Sequence, residues 1–220
     1  MRDFKAAIFD MDGLMLDSER LALNAFQATC STLELGDLSW LFKRCVGTNA
    51  ALGRSILKDG LKGIANHMEF GSIWDDNYRK LIEERPVPLK DGVEQLLRHL
   101  QSVGIRTAVA TSTKTGRAES KLQASGIIDY FEIIVGGDQV VNGKPEPDIY
   151  IKAAAELSQV PGDCIALEDS ANGVRSALSA GMTVVQIPDL FQPDEPLLAM
   201  GHIVLRSLSD VVDHDFSLNK

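Results

Sequence analysis

Ile8-Phe9-Asp10-Met11-Asp12-Gly13-Leu14-Met15-Leu16-Asp17-Ser18-Glu19 is the stretch on which the reading of this chain turns. The apolar run before it, Ala6 to Phe9, reads as a buried strand. Two carboxylates then follow two residues apart, with a glycine behind them. A strand puts residues i and i+2 on one side, so Asp10 and Asp12 can face one pocket at the strand's carboxyl end. Two anions that close repel, and a cation, a proton or an anchored lysine must offset one of them. An isolated Asp-x-Asp-Gly is also what a plain polar turn looks like, with glycine supplying a positive φ. The rest of the chain decides between these readings.

Beyond Asp12 the pattern becomes helical. From about Glu19 to Glu84 apolar residues recur at helical spacing, as in Leu52, Ile56 and Leu57, or Trp74, Tyr78, Leu81 and Ile82. This predicts a small all-helical insert over residues 17–87. It leaves through Glu84-Arg85-Pro86-Val87-Pro88-Leu89-Lys90-Asp91-Gly92, a stiff linker and turn. Gly13 to Asp17 and this exit are the expected hinges. Residues 1–16 and 88–220 would then form one α/β domain.

From Asp91 onward strands and helices alternate. Helices are predicted over Val93–Leu100 (N-capped by Asp91), Gly116–Ser125, Pro147–Leu157 and Gly173–Ala180. Strands are predicted over Ile105–Ala110, Ile133–Val135, Cys164–Leu167 and Thr183–Ile187. Such alternation implies right-handed crossovers and a parallel, Rossmann-like sheet covered on both faces. Asp213 to Lys220 reads as a loosely held tail.

The polar clusters fall just past the strand ends, where open parallel sheets carry their sites. They are Asp10 and Asp12, then Thr111 and Ser112, then Lys144, then Glu168 and Asp169. An aspartate can accept a group covalently. A second aspartate can serve as acid and base. Carboxylates without histidine or cysteine partners suit a hard cation, most simply Mg²⁺. Thr111 can donate to a phosphoryl oxygen, and Lys144 can neutralise the transferring group. Phosphoryl transfer needs this combination of positioning and charge.

The four motifs Asp10-Met11-Asp12-Gly13, Thr111-Ser112, Lys144-Pro145 and Glu168-Asp169-Ser170-Ala171-Asn172-Gly173 resemble those of the haloacid dehalogenase superfamily, in its branch with a helical cap after the first motif. That resemblance implies Asp10 as nucleophile and Asp12 as general acid and base. It implies Mg²⁺ on Asp10, Asp169 and the backbone carbonyl of Asp12, with Glu168 in or next to that shell. Thr111, Ser112 and Lys144 would bind phosphate. The second aspartate favours phosphate esters over organic halides as substrates. A small-metabolite phosphatase, acting on a sugar or nucleoside phosphate, a beta-phosphoglucomutase and a non-catalytic binding module on a hydrolase-like scaffold remain as readings. The mutase pattern carries a histidine where this chain has Ala22 and an arginine after the cap's glycine loop, so simple hydrolysis is favoured. Specificity candidates around that loop are Arg44, Thr48 and Asn49.

Bulk properties bound the partners. A net charge of −9 over 220 residues argues against nucleic acid or an anionic membrane. The expected partner is a small phosphorylated metabolite. Cys30, Cys45 and Cys164 lack metal spacing and suit a reducing compartment, with Cys45 and Cys164 as core fillers. No run is apolar enough for a bilayer, and the amino terminus lacks a signal-like segment, so a cytoplasmic monomer is the expectation. His67, His99, His202 and His214 read as surface or cap residues, and Trp74 and Tyr78 as cap core. Lys114 and Arg117 read equally as solvated or substrate-facing.

Overall fold

The computed structural model describes residues 4–48, 50–84 and 86–214. In chain order the elements are β1 (Ala6–Phe9), α1 (Ser18–Thr32), α2 (Ser39–Cys45), α3 (Ala50–Gly60), α4 (His67–Glu84), α5 (Val93–Ser102), β2 (Arg106–Thr111) and α6 (Thr115–Ala124). Then follow β3 (Ile133–Gly136), α7 (Asp148–Glu156), β4 (Cys164–Glu168), α8 (Ala171–Ser179), β5 (Thr183–Gln186), α9 (Glu195–Leu198), β6 (Ile203–Val204) and α10 (Asp210–Asp213). All strand pairs are parallel, in the order β3-β2-β1-β4-β5-β6, so β1 is central.

The two-residue period of β1 divides its side chains between two cores. Ala7 and Phe9 join Val109, Ile165 and Leu167 on one face. Ala6 and Ile8 join Ala108, Ala110 and Ala166 on the other. Burial on both faces explains why these strands read as continuous apolar runs. Helices α1 to α4 bury a third cluster of their own, around Phe26, Leu41, Phe42, Leu57 and Phe70. Phe26 meets Phe42, Phe70 and Trp74 edge-on, at centroid distances of 5.5, 5.0 and 5.1 Å. The helical segment therefore carries its own packing.

Entry and exit of that segment run side by side. Leu16 bridges Leu89, the Asp17 N–H donates to the Pro88 carbonyl at 2.9 Å, and the Lys90 N–H donates to the Met15 carbonyl at 2.9 Å. The two proposed hinges are thus one paired ribbon. Asp189, from the loop after β5, accepts from Lys90 and lies 3.5 Å from Arg20 of α1.

Some local expectations needed correction. Asp91 does not cap α5: the residue before the helix is Gly92, at φ 82°, and no side chain caps it. A Cβ at Gly92 would collide with Ser209, so close backbone packing sets that turn. Strand β6 and helices α9 and α10 went unseen because two to four residues show no period. Of the presumed tail, Asp213 closes α10 and His214 follows it, while 215–220 lie outside the described residues. Among the described residues no helix is long and apolar enough to cross a membrane. The three cysteines are free.

Candidate active site

Strand register assembles the site. Phe9 pairs with Val109 on one side and with Leu167 on the other. The Asp10 N–H continues the ladder to the Leu167 carbonyl at 2.9 Å. One step further along each strand lie Asp10, Ala110 and Glu168, with Thr111 and Asp169 just beyond. The acidic residues of β1 and β4 therefore meet because the strands are neighbours in this register.

Asp10, Glu168 and Asp169 each offer a carboxylate oxygen within 4.8 Å of the others, and all three are buried. Lys144, 1 % exposed, donates to Asp10 Oδ1 and to Glu168 Oε1, both at 2.5 Å. Tyr150 of α7 donates its hydroxyl to Glu168 Oε1 at 2.6 Å. Glu168 Oε2 accepts from the Asp169 and Ser170 N–H groups and the Ser170 hydroxyl, at 3.0, 3.2 and 3.2 Å. Ser170 in turn caps α8, accepting from the Gly173 N–H at 3.1 Å. A Cβ at Gly173 would fall on the Glu168 carboxylate, which accounts for glycine there.

Three buried carboxylates face one ammonium, so the cluster carries excess negative charge. Burial, then the neighbouring carboxylates, pushes Asp169 well above the usual carboxylate range. Asp10 moves up too: burial outweighs the opposing Lys144 charge. Burial opposes the charge on Lys144, but Asp10 and Glu168 outweigh it and raise its pKa. A second cation would relieve this excess. The donors are all oxygen, which fits a hard divalent ion such as Mg²⁺ and does not suit a thiophilic one.

Asp12 has different company. Its Oδ1 accepts from Ser18 Oγ at 2.7 Å and Lys121 Nζ at 2.6 Å, and its Oδ2 accepts from Thr113 Oγ1 at 2.6 Å. Burial opposes its charge, but Lys121 and these hydrogen bonds hold it below its ordinary pKa. The two aspartates thus differ: Asp10 shares Lys144 with Glu168 and lies beside Asp169, while Asp12 pairs with Lys121 away from that cluster. Gly13 follows at φ 91°, and a Cβ there would strike Asp169.

Asp10 and Asp12 open into a cavity of about 650 Å³ between the sheet end and the helical segment. Thr111 and Ser112 line it; Lys144, Glu168 and Asp169 stand behind Asp10. Thr111 is buried and its Oγ1 accepts from the Thr113 N–H at 3.1 Å. From the helical segment, Thr48, Trp74, Tyr78, Arg79 and Ile82 form the opposite wall. Ser112 Oγ and Asn172 Nδ2 donate to the Gly47 and Val46 carbonyls, each at 3.4 Å, and so seat the glycine loop on the sheet end.

Of the specificity candidates among the described residues, Thr48 reaches the cavity and Arg44 does not. Arg44 is exposed at the end of α2 and is not among the lining residues, because the helix turns its side chain outward. Asn49 lies outside the described residues. Cys45, expected in the core, is half-buried on the cavity wall. Trp74 belongs to the helical core as expected, donating to the Ala22 carbonyl at 3.0 Å, yet its edge and Tyr78 also line the cavity. Lys114 and Arg117 line it too. His202, half-buried, bonds Gln186, which donates to the Asp169 carbonyl at 2.9 Å.

Sequence reasoning missed Lys121, Thr113, Ser18 and Tyr150. The spacing of Lys114, Arg117 and Lys121 puts these cations on one helical face, a signal that was available. Tyr150 carried no such signal, since a tyrosine within an apolar helix reads as core.

A family model for haloacid dehalogenase-like hydrolases matches residues 4–181. The chain belongs to this family. Among its relatives, a phosphorylated carbohydrates phosphatase of Thermotoga maritima is 31 % identical, over 95 % of this chain and 97 % of its own. A beta-phosphoglucomutase of Bacillus subtilis is 29 % identical, over 94 % and 91 %. Among solved structures, CbbY of Rhodobacter sphaeroides, in complex with xylulose-1,5-bisphosphate, superposes with a TM-score of 0.75 at 28 % identity, covering 94 % of this chain and 96 % of that one.

Proposed function

We propose that this protein is a Mg²⁺-dependent phosphatase that hydrolyses a small phosphorylated metabolite, a sugar or nucleoside phosphate, through a phosphoryl group carried on Asp10. Its family and phosphatase-named relatives make it a phosphoric monoester hydrolase. The metal, the substrate and the chemistry are our reading. The observation that carries it is the buried Asp10–Glu168–Asp169 cluster, with its surplus of negative charge beside Lys144.

In this reading Asp10 and Asp169 hold the ion with the backbone carbonyl of Asp12. Glu168 stands next to the shell, since its oxygens already accept five hydrogen bonds. The ion supplies charge neutralisation at the phosphoryl oxygens. Lys144 fixes Asp10 for in-line attack and adds positive charge. Thr111 and Ser112 orient the phosphoryl group. Asp12 protonates the leaving oxygen and then takes a proton from the attacking water. The helical segment acts as a cap that excludes bulk water and strengthens the charges inside.

The alternative, phosphoryl transfer back to a sugar hydroxyl, draws support from the mutase relative. Against it stands Ala22, which lines the cavity where the mutase pattern carries a histidine. The test is turnover of an aryl phosphate with and without chelator. Activity should vanish in excess chelator and return with Mg²⁺; undiminished activity would eliminate the proposal. Conversion of beta-glucose 1-phosphate to the 6-phosphate faster than phosphate release would favour the mutase.

A further inference from the structure

Lys121 joins three parts of the molecule. It projects from α6, ion-pairs with Asp12 at 2.6 Å and reaches the Tyr78 hydroxyl on α4 at 3.3 Å. Its ammonium also lies 5.6 Å from the Tyr78 ring centroid. The Lys121 and Asp12 side chains are 16 % and 21 % exposed, so the pair is largely shielded from solvent, unlike a surface ion pair of little consequence. With Ser18 from α1 and Thr113 from the loop after β2, Lys121 leaves the Asp12 carboxylate little freedom to rotate.

We propose that Lys121 is a positioning residue for Asp12 in the second half-reaction, and that Tyr78 links this positioning to the seat of the helical segment. The inference rests on the phosphatase reading. In that step a water oxygen attacks the phosphorus on Asp10 and a new O–P bond forms. The bond from phosphorus to the Asp10 oxygen breaks, and its electron pair returns to the carboxylate. The water's proton passes to an Asp12 oxygen, and orthophosphate leaves. A base that swings freely meets the water in few of its orientations; one held by an ammonium and two hydroxyls is already aimed. Tyr78 belongs to the far wall of the cavity, so displacing the helical segment takes away one of the contacts that hold Lys121.

An aryl phosphate separates the two half-reactions. Its phenolate leaves without a proton, so kcat/KM, which ends at phosphorylation of Asp10, depends little on Asp12. Hydrolysis of the phosphoryl-enzyme still needs the base. With p-nitrophenyl phosphate and Mg²⁺, Lys121→Met should lower kcat about 10- to 100-fold and leave kcat/KM within about threefold. Acid quenching should show a larger steady-state fraction of phosphoryl-enzyme than in the wild type. Lys121→Arg should restore most of kcat, and Tyr78→Phe should lower it a few-fold (about 2- to 5-fold) in the same pattern. If Lys121→Met does not melt cooperatively, Lys121→Gln takes its place in the same assay. Equal losses in kcat and kcat/KM, an unchanged kcat, or no gain in phosphoryl-enzyme would overturn the inference while the phosphatase reading stands. A wild-type protein that releases no nitrophenol overturns that reading, and this inference with it.

Discussion

The sheet end and the helical segment face each other across one cavity, yet they are specified in different ways. At the sheet end, chemistry follows from register: once β1 lies between β2 and β4, Asp10 must stand beside Glu168, and Lys144 closes the pair. In the helical segment, an apolar core around Phe26 fixes the shape, and the cavity wall is whatever the outer faces of α4 and the glycine loop present. The difference teaches that the polar cluster at the sheet end and the wall opposite it rest on separate apolar cores.

The sharpest way to break this contrast is through Lys144. Lys144→Met leaves Asp10 and Glu168 buried without their countercharge, which should cost about 3–5 kcal/mol in a urea melt. Turnover of every phosphate ester should disappear with it. A stable, active variant would mean that the cluster does not need its cation. On the other side, Trp74→Ala opens the edge of the helical segment's core and should cost about 3 kcal/mol, the low end for a tryptophan that is only partly buried. Aryl phosphate turnover should persist at about a tenth of wild type or better, while relative kcat/KM values across a sugar phosphate panel shift. Loss of all turnover in a folded Trp74→Ala protein would show that the two sides are not separable.

The smallest expected effect lies where the sides meet. Glu19, in the first turn of α1, lines the cavity, and its pKa is pushed up to about 8 by burial and then by the charges of Asp12, Asp10 and Asp189. The folded state favours its protonated form. Its contribution to stability is therefore full below the ordinary value of 4.5 and is lost as pH rises through about 8. Glu19→Gln stays neutral throughout. In metal-free protein the two melting temperatures should agree near pH 4 and separate near pH 9, the variant being higher. A constant gap would show that Glu19 ionises freely, and a gap of opposite sign that the fold favours its charged form; either contradicts the account.

How much of this was legible beforehand follows the same division. The four strand ends announced themselves, because a polar cluster after a continuous apolar run has few other uses in a parallel sheet. Asp10, Asp12, Thr111, Ser112, Lys144, Glu168 and Asp169 could all be placed at one edge from sequence alone. The company each keeps could not. Asp12 meets Lys121 through a contact spanning 109 positions, and no local pattern encodes such a distance. The α/β alternation and the helical insert were readable from period; the strand order and the paired hinge ribbon were not. On the cavity wall the reading was weakest. Thr48 lines the cavity but Arg44 turns outward, and helical spacing without a known partner face does not say which side of α2 looks inward.

The central claim is that Asp10 briefly carries the phosphoryl group. Rapid acid quenching during turnover of an aryl phosphate with Mg²⁺, followed by peptide mass mapping, tests it directly. The account predicts a mass increase of one phosphoryl group on the peptide containing Asp10, and neither adduct nor turnover in Asp10→Asn. A phosphoryl group mapped to another residue, or sustained turnover by Asp10→Asn, would contradict it.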